Sequence, residues 1–275
     1  DAEAVTGPGQ SLSYRQLDRL SDALAGILLA RGLKPEQPVA LWADRSAETI
    51  TAIAAILKAG GAVLPLDPAQ PEQRLAYILS EAAPLAVLAR DPEGPSGKGI
   101  APASTLSIAH AELQNLAPPV SLPDISCDQA AYVLFTSGTT GRPKGVVQTH
   151  RMLQNLCAHQ LALAPNPGRV LQFAALGFDV SFQEIIPALC GGSTLVLLSQ
   201  EQSQDAAALA KILSDQRITR AFLPVAVLPI LADGLLTLEE DLDCDLFAAG
   251  EALKLDDKTR KALRRLGQGS LYNHY

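Results

Sequence analysis

The feature that most constrains the fold of this chain is a regular alternation of apolar, strand-like runs with amphipathic, helix-like segments. Ser13 can cap a helix with Gln16 as its reciprocal partner, and leucines and isoleucines then recur on one face. Strands are predicted over 39–43 and 62–66, and Ser46 opens a second helix between them. Continuous apolar strands separated by amphipathic helices indicate an α/β fold, with mostly parallel sheets flanked by helices on both faces.

The alternation is interrupted between residues 90 and 126, where prolines and glycines cluster. This composition is typical of a loop-rich connector. The strands predicted beyond it lie near 131–136, 146–149, 170–174, 193–198, 219–223, 245–249 and 270–274. We therefore expect a first α/β subdomain with its connector over 1–126, and a second α/β subdomain over 127–275.

Composition narrows the class of protein. Of the 275 residues, 48% are hydrophobic and 19% are charged, as in a compact globular protein. A net charge of −7 without a basic stripe argues against a nucleic-acid partner, and no apolar run approaches the ~20 residues that a membrane helix needs. The four cysteines are widely spaced and no signal-peptide pattern is present, so we expect reduced thiols in a cytoplasmic protein.

The most unusual local sequence is a glycine-rich segment that follows a predicted strand. Tyr132 to Phe135 suit a buried strand, and the segment 136–145 then holds three glycines, several hydroxyl side chains and Lys144. Glycines let backbone N–H groups approach an anion, hydroxyls add donors, and the lysine adds positive charge. Pro143 and the following Gly-Val-Val predict a return into extended chain, unlike the common NTPase loop that enters a helix. A purely structural hairpin turn is the alternative interpretation.

The segment Tyr132–Val146 resembles the core signature of adenylate-forming enzymes, the superfamily of acyl-CoA synthetases, luciferases and peptide-synthetase adenylation domains. The segments that resemble further motifs of nonribosomal peptide synthetase adenylation domains are Leu12–Leu17, Leu57–Pro68 with Pro71–Leu75, Phe178–Ser181 and Asn273–Tyr275. The resemblance covers nearly the whole chain. It implies the layered architecture of the adenylate-forming large domain, truncated before its C-terminal domain, because the chain stops inside the fifth motif.

Asp179 has two interpretations. From the residues alone, Ser181 and Glu184 have the spacing of a capping box, and an acidic residue just before a helix is favourable to its dipole. The resemblance implies instead that Asp179, as a buried charge in need of a partner, pairs with the α-ammonium of an amino-acid substrate. The side chains at the matching substrate-lining positions are Asp179, Val180, Gln183, Ala226, Phe247, Ala249 and His274. Their combination resembles that of proline-activating domains, which implies proline or a related cyclic imino acid.

The resemblance also implies a nucleotide site. The residues implied to bind ATP are Thr136, Ser137, Gly138, Thr139, Thr140, Gly141, Lys144, Gly250, Glu251, Asn273 and Tyr275. Thr136, Thr140 and Lys144 are implied to be catalytic at the phosphates. Tyr275 is implied to stack on the adenine, beside a wall formed by Gly250 and Glu251. No residue is implied as a metal ligand, because the family's Mg²⁺-binding glutamate would lie past Tyr275.

The implied reaction is attack of the amino-acid carboxylate on the α-phosphorus of ATP, which gives aminoacyl-AMP and pyrophosphate. The acyl group then passes to the phosphopantetheine thiol of a peptidyl carrier protein, and neighbouring synthetase domains are further expected partners. Two alternatives stay open: an acyl- or aryl-CoA ligase of the same superfamily, and a non-catalytic nucleotide-binding remnant. We expect the 275-residue chain to be inactive alone.

Overall fold

The computed structural model describes residues 1–8, 10–100, 105–116, 121–137, 142–199, 201–202, 205 and 208–274. The strands are β1 (Glu3–Gly7), β2 (Gln10–Ser13), β3 (Pro38–Trp42), β4 (Ala62–Leu66), β5 (Val87–Ala89), β6 (Thr105–Ser107), β7 (Ala130–Ser137), β8 (Pro143–Thr149), β9 (Arg169–Gln172), β10 (Thr194–Leu197), β11 (Arg220–Pro224), β12 (Asp245–Ala249) and β13 (Leu271–Asn273). The helices are α1 (Tyr14–Ala30), α2 (Ala47–Lys58), α3 (Glu72–Ala82), α4 (Glu93–Ser96), α5 (His110–Leu113), α6 (His150–Leu163), α7 (Val180–Cys190), α8 (Leu209–Asp215), α9 (Leu228–Leu235) and α10 (Asp257–Ala262).

The chain divides into two compact units. The first comprises residue 1, residues 12–159 and residues 175–179, and the second comprises residues 2–11, 160–174 and 180–275. This division differs from the predicted boundary after residue 126, because β7 pairs with β4 and thereby joins the first sheet.

The first unit contains a six-stranded sheet in the order β6-β5-β3-β4-β7-β8. Its paired strands are parallel except for β8, which runs antiparallel to β7. The predicted cap of α1 is confirmed: Ser13 Oγ accepts from the N–H of Gln16, and Gln16 Oε1 accepts from the N–H of Ser13. Ser46 caps α2 by accepting from the N–H of Thr49. These caps satisfy helix N–H groups that have no partner within the helix.

The second unit contains a seven-stranded sheet in the order β13-β12-β11-β9-β10-β1-β2. From β9 the chain moves to β10 on one side, and afterwards to β11, β12 and β13 on the other side. The strand order therefore reverses between β9 and β11. An open α/β sheet forms a crevice for ligands outside the carboxyl ends of its strands at such a reversal.

Some elements differ from the sequence-based expectation. The connector expected to be loop-rich contributes α4, α5 and strand β6, which pairs in parallel with β5 at the edge of the first sheet. The prediction also lacked β1, whose partner β10 lies far along the chain. Both strands are short, and their pairing depends on tertiary contacts that local periodicity does not report. No helix in the described part of the chain is long and apolar enough to cross a membrane.

Candidate functional site

The predicted phosphate loop connects two antiparallel strands of the first unit. On β7 and β8, Thr136 lies opposite Lys144 and Ser137 lies opposite Pro143, which confirms the expected return into extended chain. Thr136 and Lys144 are both exposed, so a hydroxyl and an ammonium group on neighbouring strands are accessible to an anion. The predicted loop residues that lie outside the described part of the chain are Gly138, Thr139, Thr140 and Gly141.

Phe135, the residue before Thr136, contacts Arg74 and Gly145 of the first unit. Arg74 donates from Nη2 to the carbonyl oxygen of Phe135 at 3.4 Å, and from Nε to Gln70 Oε1 at 2.8 Å. Gly145 lies opposite Phe135 on β8, where an added Cβ would come within 3.2 Å of the ring atom Cζ. The motif around Arg74 is therefore in direct contact with the strand that leads into the loop.

Asp179 belongs to the first unit and directly precedes α7 in the chain. Its side chain is exposed, so the expectation of a buried carboxylate is wrong. Burial and, after it, the negative charge of Asp179 raise the pKa of the Tyr132 hydroxyl to about 12. The Asp179 carboxylate thus lies within electrostatic range of β7, in a position that a cationic ligand can reach.

The other predicted site segments follow strands of the seven-stranded sheet. These segments come after β9, β11, β12 and β13. The four strands are adjacent and parallel, so the carboxyl ends of the strands lie at one edge of the sheet. This edge includes the reversal of strand order between β9 and β11. The glycine-rich loop follows β7 in the other sheet.

Gln183, Phe247 and His274 are brought together in the second unit. Gln183 Nε2 lies 3.2 Å from His274 Nδ1. This distance is within hydrogen-bonding range. The His274 ring also meets Phe247 edge-on, with ring centroids 4.9 Å apart, and its backbone N–H donates to Ala248 at 2.8 Å. Three predicted substrate-binding residues, remote in the chain, form one contiguous group.

Phe247 is the middle ring of an aromatic stack. The rings of Phe222 and Tyr272 lie on either side, each with its centroid 4.6 Å from that of Phe247, at matching register positions of β11, β12 and β13. Phe247 is only 1% exposed. The ring therefore supports His274, and its lining of a substrate pocket stays a prediction. Phe222 and Tyr272 were not among the predicted site residues, although an aromatic residue on each of three successive strands was the available signal.

The start of α7 differs from the predicted capping box. The helix begins at Val180, so Ser181 lies inside it. The carboxylate of Glu184 accepts hydrogen bonds from the N–H groups of Phe173 and Ala174 after β9. Glu184 therefore connects α7 to the end of β9, a role that the capping pattern did not indicate.

The remaining predicted residues of the second unit lie at strand ends and at the start of α7. Ala226, Gly250, Glu251 and Asn273 are exposed, whereas Val180 and Ala249 are half-buried. Gly250 has a φ of +97°, a backbone conformation that strains any residue with a Cβ. Tyr275 lies outside the described residues. The described residues include no group of three or more His, Cys, Asp or Glu side chains that could hold a metal ion.

Comparison with known proteins gives consistent matches. The family described as AMP-binding enzyme matches residues 1–275. Bacitracin synthase 3 of Bacillus licheniformis is 40% identical over 235 residues, which cover 84% of this chain and 4% of that protein. The Klebsiella oxytoca NpsA N-terminal subdomain, solved in complex with 3-hydroxyanthranilyl-AMSN, has a TM-score of 0.81 and 25% identity over 99% of this chain and 68% of its own.

A second solved structure extends the comparison. Holo-PA1221, an NRPS protein containing adenylation and PCP domains, has a TM-score of 0.86 and 29% identity, over 100% of this chain and 46% of its own. The chain thus spans a small fraction of the synthetase it resembles and about half of PA1221.

Proposed function

Since the chain belongs to the AMP-binding enzymes and, among them, to the adenylation domains of nonribosomal peptide synthetases, we propose that it takes part in ATP-dependent activation of an amino acid as aminoacyl-AMP. The acyl group then passes to the phosphopantetheine thiol of a peptidyl carrier protein. Neighbouring synthetase domains are further partners in this proposal. Mg²⁺ accompanies ATP in this proposal, and the protein works in the cytoplasm.

The observation that carries the proposal is the exposed carboxylate of Asp179, directly before α7 and within electrostatic range of Tyr132 on β7. A carboxylate in such a position can pair with the α-ammonium of an amino acid through charge-assisted hydrogen bonds. Fatty and aryl acids lack this ammonium group. The position of Asp179 therefore favours an amino-acid substrate over the substrates of an acyl- or aryl-CoA ligase.

The β7–β8 hairpin supports the nucleotide part of the proposal. Thr136 and Lys144 are exposed register partners, which suits recognition of phosphate oxygens by a hydroxyl and an ammonium group. The chemistry needs no nucleophile from the protein. Catalysis by such a site rests on alignment of the reactants and on stabilisation of the charge that develops as pyrophosphate leaves.

Proline, or a related cyclic imino acid, is the substrate we propose. The Gln183 amide and the His274 ring are hydrogen-bonded to each other at 3.2 Å, so an apolar substrate side chain beside them leaves this contact intact. Ala226 and Ala249 are small, and Phe247 is fixed in its stack. A compact apolar ring matches the small size and apolar character of these side chains.

The experiment is amino-acid-dependent pyrophosphate exchange by the full-length protein that contains this chain. The substrates are proline, pipecolate, leucine, phenylalanine and cyclopentanecarboxylate. We expect overlapping use of proline and pipecolate, since one methylene changes discrimination by only ~1–3 kcal/mol. Preference for leucine or phenylalanine would refute the substrate assignment. Equal use of cyclopentanecarboxylate would refute the role of Asp179 and favour the CoA-ligase alternative.

A further inference from the structure

One charged side chain of the second unit is completely buried and is not used by the proposed chemistry. Glu184 in α7 is 0% exposed. Its Oε1 accepts from the N–H groups of Phe173 and Ala174, both at 3.1 Å, and its Oε2 accepts from Ala174 N at 3.1 Å and Gln172 Nε2 at 3.0 Å. These hydrogen bonds to the charged form offset the cost of removing the carboxylate from water.

Gln172 closes this arrangement around the end of β9. Its side chain is 2% exposed, and its Nε2 also donates to the carbonyl of Ala174 at 2.5 Å. Glu184 and Gln172 together therefore bind backbone groups of Phe173 and Ala174. These contacts attach the residues that follow β9 to helix α7, at the edge of the sheet where the strand order reverses.

The sequence of α7 explains why its first turn needs an anchor. Pro187 lies inside the helix, and proline has no N–H to donate to the carbonyl four residues earlier, which is that of Gln183. The first turn is therefore held less firmly by intrahelical hydrogen bonds than in an uninterrupted helix. Gln183 belongs to this turn, and its side chain is the partner of His274. Glu184 directly follows it.

Burial alone does not account for a charged residue at this position. Phe182, Ile185 and Ala188 already bury an apolar face of α7. A buried ion often stabilises a protein less than a well-packed apolar side chain of similar volume. What the Glu184 carboxylate adds is a set of directional hydrogen bonds, which determine the position of the helix along the end of β9.

We propose that Glu184 is a positioning residue of the amino-acid pocket. Its buried carboxylate holds the first turn of α7, and with it Gln183, where the substrate meets it. This inference rests on the proposed function and extends it to a residue that acts through Gln183.

The test measures pyrophosphate exchange by the full-length protein. The substrate is the amino acid that the wild type uses best among those named in the preceding experiment. Glu184→Gln keeps the volume but removes the charge and turns one acceptor into a donor facing backbone N–H groups. We expect the KM for the amino acid to rise about 10- to 100-fold, with the KM for ATP and kcat changed less than about threefold. Glu184→Asp, which keeps the charge, should recover part of this loss.

Leu235→Ala is the control for stability alone. Leu235 is a fully buried core residue of the same unit, so its truncation destabilises the protein while leaving the Glu184 contacts in place. We expect an unchanged amino-acid KM. Gln172→Leu is a milder second variant that removes one donor to Glu184. We expect the amino-acid KM of this variant to rise about 3- to 10-fold. It decides the question if Glu184→Gln does not fold.

Two results would overturn the inference. One is a folded Glu184→Gln or Gln172→Leu variant whose amino-acid KM equals that of the Leu235→Ala control. The other is a KM for ATP that rises in that variant by the same factor as the amino-acid KM. Either result, with normal exchange by the wild type, leaves the proposed function intact. Absence of amino-acid-dependent exchange by the wild type would overturn the proposed function, and this inference with it.

Discussion

Gln183 Nε2 and His274 Nδ1 lie 3.2 Å apart, although the residues are 91 positions apart in the chain. The contact joins α7 to the segment after β13, at one edge of the seven-stranded sheet. The amide and the ring are hydrogen-bonded to each other, so each has a polar contact without a ligand. A pocket beside them therefore suits an apolar substrate, and breaking the pair should change its selectivity.

Gln183→Ala should raise the use of 4-hydroxyproline relative to proline. The substitution removes the Gln183 side chain from His274 Nδ1, and a substrate hydroxyl can then take its place. One such bond is worth about 0.5–1.5 kcal/mol, or a 2- to 10-fold change in the ratio of kcat/KM values. Pyrophosphate exchange with the two imino acids measures this ratio. Gln268→Ala, at an exposed glutamine of the same unit, is the control; an unchanged ratio in the Gln183 variant would contradict the pairing.

Lys144→Ala should weaken the adenylation step more than amino-acid binding. The exposed ammonium group lies opposite Thr136, where it can contact phosphate. A hydrogen bond to a charged group contributes about 1.5–3 kcal/mol, so turnover should fall by one to two decades. Exchange at varied ATP and amino-acid concentrations separates the two effects. Lys211→Ala, at a lysine paired with Asp215, should leave both unchanged. Normal turnover of the Lys144 variant would show that the loop has another role.

Elements with local signals could be predicted from the sequence. The Ser13–Gln16 capping box of α1 and strand β4 were expected with accurate positions, because caps and continuous apolar runs depend on neighbouring residues. The return into extended chain at β8 was expected from Pro143 and the residues after it.

Contacts that depend on tertiary packing could not be predicted in this way. The spacing of Ser181 and Glu184 indicated a cap, yet the Glu184 carboxylate turns to the end of β9, which packs against α7 only in the folded unit. The contact of Arg74 with Phe135 spans 61 positions and has no local signal. Asp179 was expected to be buried because its proposed role needs a partner, but the chain leaves it exposed.

Asp179→Asn should reduce the preference for substrates that carry an amine. The carboxylate is exposed in the structure, so the expected loss is that of one charge-assisted hydrogen bond, about 1.5–3 kcal/mol. The amino-acid KM should rise about 10- to 100-fold, whereas any trace activity with cyclopentanecarboxylate should be unaffected. Both are measured by pyrophosphate exchange. Asp215→Asn, at an exposed residue of α8, is the matched control. An equal loss for both substrates would argue that Asp179 serves the fold and not the amine.

Removing His110 should make the protein less sensitive to acid. The imidazole is 8% exposed, with Nε2 at 3.0 Å from Thr51 Oγ1 and Nδ1 at 3.8 Å from the buried Glu48 carboxylate. Burial lowers the pKa of His110, and the opposing attraction of Glu48 offsets only part of that effect. The folded protein thus holds His110 neutral at a pH where the unfolded chain, with a pKa of about 6.5, takes up a proton.

The sign of the pH effect follows from this difference in proton binding. Because the unfolded state binds more protons, the free energy of unfolding falls as the pH drops below about 6.5, by at most about 1.4 kcal/mol per pH unit for one group. His110→Gln should make this slope shallower between pH 7 and the lower folded-state pKa. Urea unfolding at a series of pH values, followed by the fluorescence of Trp42, the chain's single tryptophan, measures it. His159→Gln, at an exposed histidine, should retain the wild-type slope. A slope unchanged in the His110 variant would mean that His110 is protonated alike in the folded and unfolded states.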